Sequence, residues 1–337
     1  MDNRLPKPDP PTRAIPRLDT GRAGPVALIG ADLARFQDIA ASAEDYYGWT
    51  AFRIGDRLSR RWLEKSDNPY RAEIAEVAER LGRPGAYLLN LSYEWTCTAG
   101  VGPDPEGAGT RMLRTLDWPL PGLGREVGAA GHEGPAGSWW NVTWPGFVGV
   151  ATAMAPGRFA AAINQPPIRR LTPSCWLDWA LNRRPVWRSR ALPPVHLLRR
   201  VFDEARTYTD AKGMLCETTL AIPAFFTLAG IEDGEGCVIE RGEKLAHVQG
   251  APASIANHWI AGDGTGHPRG GDSEGRWRMM EELRDRAPGD FSWVRPPILN
   301  PTTRLAIVAN AARGTLSVQG FEAHGGKASP ATAVFRL

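Results

Sequence analysis

The chain has 337 residues, 42% of them hydrophobic and 23% charged, which is ordinary for a globular protein and enough for a sizeable core. Its net charge at pH 7 is +3, and the basic residues occur as scattered doublets such as Arg60-Arg61, Arg169-Arg170 and Arg199-Arg200. Nucleic-acid binding needs a basic stripe or patch, so the composition argues against a nucleic-acid partner.

The first part of the chain is predicted to be an irregular arm followed by helices. Residues 1–23 are rich in Pro, Arg and Asp and lack the apolar core of a signal peptide. No apolar run elsewhere is long enough to span a bilayer, so we expect a cytoplasmic protein without a membrane span. Two apolar sets recur at helical spacing, namely Leu33, Phe36 and Ala40, and then Ile74, Val77 and Leu81. Residues 24–96 are therefore predicted to be mainly helical.

From Ala86 onward the pattern changes to that of a sheet, in which Cys97 opens a strand. Further strands are predicted at Met112–Asp117, Phe147–Met154, Phe159–Asn164, Ala224–Leu228, Cys237–Arg241, Ser254–Asn257, Leu305–Ala309 and Thr315–Val318. Helices are predicted at Trp176–Leu181, Val195–Glu204 and Thr209–Cys216, and another one opens at Asp272 or Ser273. Runs of strands that alternate with runs of helices predict an α+β protein, with two packed sheets and helices outside.

Cysteine usage singles out one residue. The four cysteines, Cys97, Cys175, Cys216 and Cys237, are far apart and show neither a CxxC pair nor a Cys/His pairing. This spacing argues against a zinc site and against a disulfide framework. Cys97 differs from the others because Arg114 and Asp117 follow it in the next predicted strand. A cation beside a thiol favours the nucleophilic thiolate, although a buried, inert cysteine followed by a surface ion pair remains the alternative.

Several short motifs carry a family resemblance. They are Asn90-Leu91-Ser92-Tyr93-Glu94, Cys97-Thr98, Arg114 with Asp117-Trp118, Trp144-Pro145-Gly146-Phe147-Val148-Gly149, Ala162-Ile163-Asn164 and Asn257-His258-Trp259. In this order and spacing, the chain from about Ala86 onward resembles the acid ceramidase and N-acylethanolamine acid amidase branch of the N-terminal-nucleophile (Ntn) hydrolases. Choloylglycine hydrolases and penicillin V acylases are more distant relatives of the same kind.

The resemblance implies a four-layer αββα sandwich and a precursor that cuts itself before Cys97. Residues 24–96 would then be a helical propeptide or α-subunit, and residues 97–337 would be the catalytic β-subunit. The chain departs from the family pattern at Thr115, where asparagine is usual, and at Ala256, where threonine is common. We expect these changes to alter substrate contacts without removing a core catalytic group.

The resemblance also implies a role for each site residue. The freed Cys97 would use its thiol as nucleophile and its own α-amine, with an ordinary pKa of about 7.7–8.0, as base. Arg114 would stabilise the thiolate, and Asp117 would hold the α-ammonium toward the sulfur. Asn257 is the candidate oxyanion donor, and Arg276 would support the site. The alternatives are a surface ion pair for Arg114 and Asp117, a turn asparagine at 257 and a helix-surface arginine at 276.

Weaker candidates complete the predicted site. Asn164 is a second possible oxyanion donor, and Glu94 is either a helper in self-cleavage or a plain strand residue. The aromatic residues Trp139, Trp140, Trp144, Phe147 and Trp259 are candidates for lining an apolar acyl pocket, although buried aromatic residues usually belong to a core. The segment from Trp139 to Phe147 is predicted to be a loop that overhangs the cysteine.

Together these observations predict a self-processing N-terminal-cysteine amidohydrolase acting on a non-peptide linear amide with an apolar acyl group. Ceramides, N-acylethanolamines, N-acyl amino acids, bile salts and β-lactam side-chain amides are all candidate substrates, and no metal or organic cofactor is expected. The expected partners are a lipophilic small molecule and the cleaved N-terminal chain, and a homo-oligomer is left open. Two alternatives remain, namely an acyltransferase of the isopenicillin N acyltransferase type and an unprocessed, non-catalytic lipid-binding protein.

Overall fold

A computed structural model describes residues 12–92, 95–261 and 266–337. Its N-terminal part is a short strand followed by helices, as predicted from the apolar spacing. These elements are β1 (Arg17–Gly21), α1 (Pro25–Tyr47), α2 (Trp49–Lys65), α3 (Arg71–Leu81) and α4 (Ala86–Leu91). Among the described residues, no helix is long and apolar enough to cross a membrane.

The middle of the chain supplies strands to both large sheets, followed by three helices. Its strands are β2 (Thr96–Pro103), β3 (Thr110–Asp117), β4 (Gly128–Gly134), β5 (Gly137–Thr143), β6 (Thr152–Ala155), β7 (Phe159–Asn164) and β8 (Ile168–Arg169). Three helices follow, α5 (Cys175–Arg188), α6 (Pro194–Glu204) and α7 (Tyr208–Glu217).

The last part returns to strands around a single helix. It comprises β9 (Ala224–Ala229), β10 (Gly236–Arg241), β11 (Ala246–Gly250), β12 (Ala253–Ile255), β13 (Gly266–His267), α8 (Ser273–Leu283), β14 (Thr303–Asn310), β15 (Thr315–His324), β16 (Lys327–Pro330) and β17 (Phe335–Arg336). Asp272 is the N-cap of α8, and its side chain accepts a hydrogen bond from the backbone N–H of Gly275, so the predicted start of this helix is confirmed.

Two large sheets face each other. The larger has the strand order β1-β4-β5-β6-β7-β9-β10-β11, and the smaller has the order β12-β2-β3-β14-β15-β16, with β17 also paired to β15. Helices α6 and α7 pack on the larger sheet, and α8 packs on the smaller one, while β2 and β3 contact β7 and β9 across the interior. This is the predicted αββα layering, and the site described below lies between its two sheets.

The structure corrects two predicted boundaries near the N-terminus. Residues 17–21, predicted to be part of an irregular arm, form the edge strand β1, which pairs in parallel with β4. Backbone pairing orders this segment, so its polar composition did not reveal it. The segment from Tyr87 to Leu91 is helix α4 and not the start of the sheet. A short continuous apolar run is compatible with either element, so periodicity alone could not distinguish them.

The prediction of a loop from Trp139 to Phe147 is also wrong. Residues 137–143 form β5, which pairs with β4 in a hairpin that the sequence pattern did not predict. The glycines of β4 weaken the strand signal, but Gly134 packs closely on α6, since a Cβ at this position would lie 2.8 Å from the Cα of Asp203. The predicted strand Phe147–Met154 is extended only from Thr152 onward.

Candidate active site

Cys97 lies near the start of β2, fully buried between the sheets. In the antiparallel pairing of β2 with β3, Cys97 is opposite Leu116 and Ala99 is opposite Arg114. Since side chains alternate along a strand, Cys97 and Arg114 project from the same face of the sheet and are diagonal neighbours. Nη2 of Arg114 lies 3.1 Å from Sγ of Cys97.

The Arg114 guanidinium is held in place by the opposite sheet. Nη1 donates to the carbonyl of Ala151 at 2.8 Å, and Nη2 donates to the carbonyl of Ile163 at 2.8 Å. Arg114 is fully buried, so these carbonyls replace the water that a guanidinium would otherwise bind. The arrangement fixes a positive charge beside the sulfur, where it favours the thiolate.

Asp117 is the last residue of β3 and is fully buried. It is paired with Thr96, the residue before Cys97. Its Oδ2 accepts a hydrogen bond from Nδ2 of Asn300 at 2.8 Å, and its Oδ1 accepts one from Oγ1 of Thr303 at 2.9 Å. Neither Asp117 nor Arg114 is at the surface, so the alternative of a surface ion pair is wrong.

Arg276, from α8, connects the other members of the site. Nη1 donates to the carbonyl oxygen of Cys97 at 2.9 Å and to Oγ1 of Thr98 at 2.8 Å, while Nη2 donates to Oδ1 of Asn257 at 3.1 Å. Nη1 also lies 3.8 Å from Oδ2 of Asp117. Arg276 is 1% exposed, so it is not the helix-surface arginine of the alternative interpretation.

Asn257 follows β12 and presents its amide oxygen to the cysteine. Oδ1 accepts a hydrogen bond from the backbone N–H of Cys97 at 3.0 Å, while Nδ2 donates to the carbonyl of Gln165 at 2.7 Å. The backbone N–H of Asn257 donates to Oγ of Ser273 at 2.8 Å, which ties this residue to the first turn of α8. An amide nitrogen has two hydrogens, so Nδ2 keeps one for a further acceptor.

Burial has the largest influence on the pKa of both acidic groups in the site, the Cys97 thiol and the Asp117 carboxyl. It raises the pKa of the Cys97 thiol, and the neighbouring Arg114 only partly opposes this effect. It also raises the pKa of Asp117, against the lowering influence of Arg276, Asn300 and Thr303. In the continuous chain burial therefore opposes formation of the thiolate, and the thiol needs a proton acceptor to act as a nucleophile.

Asn164 lies at the end of β7, and its hydrogen bonds go to the segment before Asn257 rather than to Cys97. Its Nδ2 donates to the carbonyls of Ile255 at 3.3 Å and Ala256 at 3.1 Å, the residues that precede Asn257. Asn164 thus ties β7 to the segment that carries Asn257. Glu94 lies outside the described residues.

The aromatic candidates separate into different places. Trp144 and Phe147 pack edge to face with Trp95 and Trp118, at ring-centroid distances of 5.1 to 6.4 Å around the four rings. Trp95 is two residues before Cys97, and Trp118 directly follows Asp117. We call Trp95, Trp118, Trp144 and Phe147 the aromatic cluster. Its last three members line a small apolar cavity together with Phe36 of α1.

The other aromatic candidates are elsewhere. Trp139 stacks on Phe202 of α6, with ring centroids 5.3 Å apart, on the outer face of the larger sheet. Trp140 lies under the guanidinium of Arg17 at the β1 edge of that sheet, and Trp259 packs against Phe225 of β9. Only Trp144 and Phe147 of the predicted acyl-pocket residues therefore lie in the aromatic cluster.

Sequence reasoning missed four residues that contact the site. Thr98 accepts a hydrogen bond from Arg276, and the carbonyl of Gln165 accepts one from Asn257. Asp117 accepts one hydrogen bond from Asn300 and one from Thr303. The Asn300-Pro301-Thr302-Thr303 run is typical of a turn, and nothing in its spacing links it to Cys97. In the described part of the chain, no group of three His, Cys, Asp or Glu side chains is placed to hold a metal ion.

Comparison with known proteins finds relatives by sequence and by fold. No known family model matches the chain. Over 103 residues the chain is 33% identical to the acid ceramidases of Heterocephalus glaber and Homo sapiens, a stretch that covers 30% of this chain and 25% of those proteins. The match therefore spans about a quarter of the length of these curated relatives.

The fold extends the likeness beyond that stretch. An N-acylethanolamine-hydrolyzing acid amidase ortholog of Caenorhabditis elegans superposes with a TM-score of 0.51 at 20% identity, covering 64% of this chain and 93% of that chain. This likeness confirms the predicted Ntn-hydrolase fold. Together with the ceramidase match, it also confirms the resemblance that the motifs indicated.

Proposed function

We propose that this chain, which has the Ntn-hydrolase fold, is a self-processing N-terminal-cysteine amidohydrolase that acts on a non-peptide linear amide. The observation that carries the proposal is the buried guanidinium of Arg114, 3.1 Å from the sulfur of Cys97 and anchored by two carbonyls of the opposite sheet. An inert core cysteine needs no cation. Burying a guanidinium costs desolvation free energy, so its position beside the sulfur supports a functional role for the pair.

The first reaction would be cleavage of the Thr96–Cys97 peptide bond. Sγ of Cys97 attacks the carbonyl carbon of Thr96, the C–N bond breaks, and the thiol proton ends on the released nitrogen. Water then hydrolyses the thioester, which gives a carboxylate on Thr96 and restores the thiol. Support comes from Asn257, whose Oδ1 already holds the Cys97 nitrogen, and from Arg276, which holds the Cys97 carbonyl.

After cleavage the same nitrogen would be an α-amine beside the thiol. It would take the thiol proton while the sulfur attacks the substrate carbonyl, and it would then protonate the departing amine. Arg114 would stabilise the thiolate, Asp117 would hold the ammonium form, and the second Nδ2 hydrogen of Asn257 would bind the oxyanion. Water would complete the cycle by hydrolysing the acyl-enzyme.

The acyl group would bind at the aromatic cluster. Trp95 and Trp118 lie next to the site residues along the chain, and the buried rings of Trp144 and Phe147 pack against them beside the small apolar cavity. A linear acyl chain that entered this apolar region would gain about 0.8 kcal/mol for each buried methylene. The substrate would therefore be an N-acylethanolamine, a ceramide, an N-acyl amino acid or a related lipophilic amide.

The N-terminal chain would remain bound after cleavage and form part of the enzyme, which would work in the cytoplasm. Two part-buried ion pairs join the N-terminal chain to the rest of the protein and support its retention: Arg35 with Glu126 at 2.7 Å, and Arg199 with Glu73 at 2.5 Å. β1 also belongs to the larger sheet, so losing the N-terminal chain would expose the edge of β4.

The test is to incubate the purified protein with N-acyl amides of different chain lengths and to measure the released amine and fatty acid. We expect amine release by the wild type, an acyl adduct on Cys97 in the mass spectrum, and neither with Cys97→Ala. If an added amine captures the acyl group in preference to water, the acyltransferase alternative replaces hydrolysis. Binding of the amides without any product would favour the non-catalytic alternative.

A further inference from the structure

The carboxylate of Asp117 is fully buried, yet both of its oxygens have hydrogen-bond donors. Asn300 Nδ2 donates to Oδ2 at 2.8 Å, and Thr303 Oγ1 donates to Oδ1 at 2.9 Å. An ionised carboxylate without such partners would be strongly disfavoured in this environment. These two donors are neutral and come from one short segment, at the start of β14.

The segment is built so that both donors point at Asp117. Thr303 Oγ1 accepts a hydrogen bond from the backbone N–H of Asn300 at 3.0 Å, which leaves its own hydrogen for the carboxylate. Oδ1 of Asn300 accepts hydrogen bonds from the backbone N–H and Oγ1 of Thr302, at 3.0 and 2.6 Å. These bonds fix the amide with its nitrogen toward Asp117.

Arg276 also opposes the effect of burial on the pKa of Asp117, but among the described residues no charged group donates a hydrogen bond to this carboxylate. Arg276 of α8 lies 3.8 Å away, beyond hydrogen-bond distance, and its Nη1 donates to Cys97 and Thr98. Arg114 of β3 is directed to Cys97 and the opposite sheet, and Arg304 of β14 donates to backbone carbonyls, including that of Leu120 at 2.9 Å. The acidic neighbour is the Cys97 thiol of β2.

We propose that Asn300 and Thr303 are positioning residues that keep Asp117 ionised and oriented for the α-ammonium of Cys97, an inference that rests on the proposed function of the site. They do not touch the substrate and act only through Asp117. Without their two hydrogen bonds, the buried carboxylate would take up a proton at a higher pH and could no longer accept a hydrogen bond from the ammonium.

Two variants test this. Thr303→Val removes the hydroxyl at almost constant volume. Asn300→Asp keeps an acceptor for Thr302 but replaces the donor to Asp117 by a second carboxylate. Both changes favour the protonated form, so the titration midpoint of Asp117 should rise, by about one to two pH units for the loss of one hydrogen bond to a charged group.

The chain offers matched controls. Asn310, at the opposite end of β14, donates from Nδ2 to Oδ2 of the buried Asp104 at 2.7 Å, the same contact away from the site. Asn310→Asp should therefore lower the melting temperature without moving the midpoint of Asp117. Thr303→Ser keeps the hydroxyl and should restore the wild-type midpoint.

The measurement is carbon-13 NMR of the Asp carboxyl carbons against pH in the full protein, with Asp117→Asn to assign the signal. Activity should fall with each variant more at low pH than at high pH, because deprotonation of Asp117 recovers it; a purely structural defect would lower activity at every pH. An unchanged midpoint in Thr303→Val and Asn300→Asp, or an equal rise in Asn310→Asp, would overturn the inference. Because the midpoint is read without turnover, an inactive wild type would count against the proposed function alone.

Discussion

Asn257 holds the backbone nitrogen of Cys97 through its amide oxygen, at 3.0 Å, while its amide nitrogen donates to Gln165 at 2.7 Å. The held nitrogen is the atom that self-cleavage would convert into the catalytic amine. Asn257 would therefore have two separate tasks, one for each end of its amide: the oxygen would hold the nucleophile's own amine, and the nitrogen would stabilise the oxyanion.

Replacing Asn257 by Asp separates these tasks, because a carboxylate keeps the acceptor but loses the donor. We expect Asn257→Asp to cut itself and to lose about 100- to 1,000-fold in kcat, the usual effect of removing an oxyanion donor. Asn257→Ala should be impaired in both steps. Cleavage is followed by intact mass and turnover by amine release. Wild-type kcat in Asn257→Asp would show that the amide nitrogen has no part in turnover.

Removal of the Arg114 side chain should raise the pH at which the Cys97 thiol of the processed protein ionises, because the cation that favours the thiolate is lost. Activity of Arg114→Ala should fall by at least about 100-fold. The rate of iodoacetamide alkylation against pH reports the thiolate directly. Arg158→Ala is the matched control, since Arg158 is a buried arginine held by the carbonyls of Phe202 and Ala205, outside the site. A loss of activity just as large in folded Arg158→Ala would mean that the effect of Arg114 is structural.

The aromatic cluster should set the preference for acyl-chain length. In the wild type, kcat/KM should rise with each added methylene by up to about fourfold, the equivalent of about 0.8 kcal/mol, until the site is full. Trp144→Ala should flatten this rise and leave short-chain turnover largely intact. Trp140→Ala should leave the rise unchanged, because Trp140 lies under Arg17 at the sheet edge. A flat profile in the wild type would refute the lipophilic substrate class.

The sequence predicted the parts of the fold whose side chains carry a clear period. Helices α1 and α3 followed from the spacing of Phe36 and Ile74 with their apolar neighbours, because one face of each helix is buried. The β4–β5 hairpin did not follow, since its glycines weaken the strand signal while serving close packing, as at Gly134 against the backbone of Asp203. Apolar periodicity predicts which side of an element is buried. It predicts nothing where backbone geometry or glycine packing determines the structure.

The same limit applies to the site. Cys97, Arg114 and Asp117 lie in adjacent strands, so alternation and a family motif could bring them together. Asn300 and Thr303 come from a turn far along the chain, and only the pairing of β3 with β14 places them against Asp117. The sequence also could not predict which end of the Asn257 amide faces Cys97, because the orientation of an amide depends on all its hydrogen-bond partners at once.

Self-cleavage before Cys97 would change the mass of the purified chain, which can be measured without any substrate. Intact-mass measurement of the wild type under denaturing conditions should give two chains, the larger beginning at Cys97 by N-terminal sequencing, whereas Cys97→Ala should give one. A wild type that hydrolyses N-acyl amides while remaining a single uncut chain would rule out the N-terminal-amine mechanism, because its Cys97 would have no α-amine to act as base.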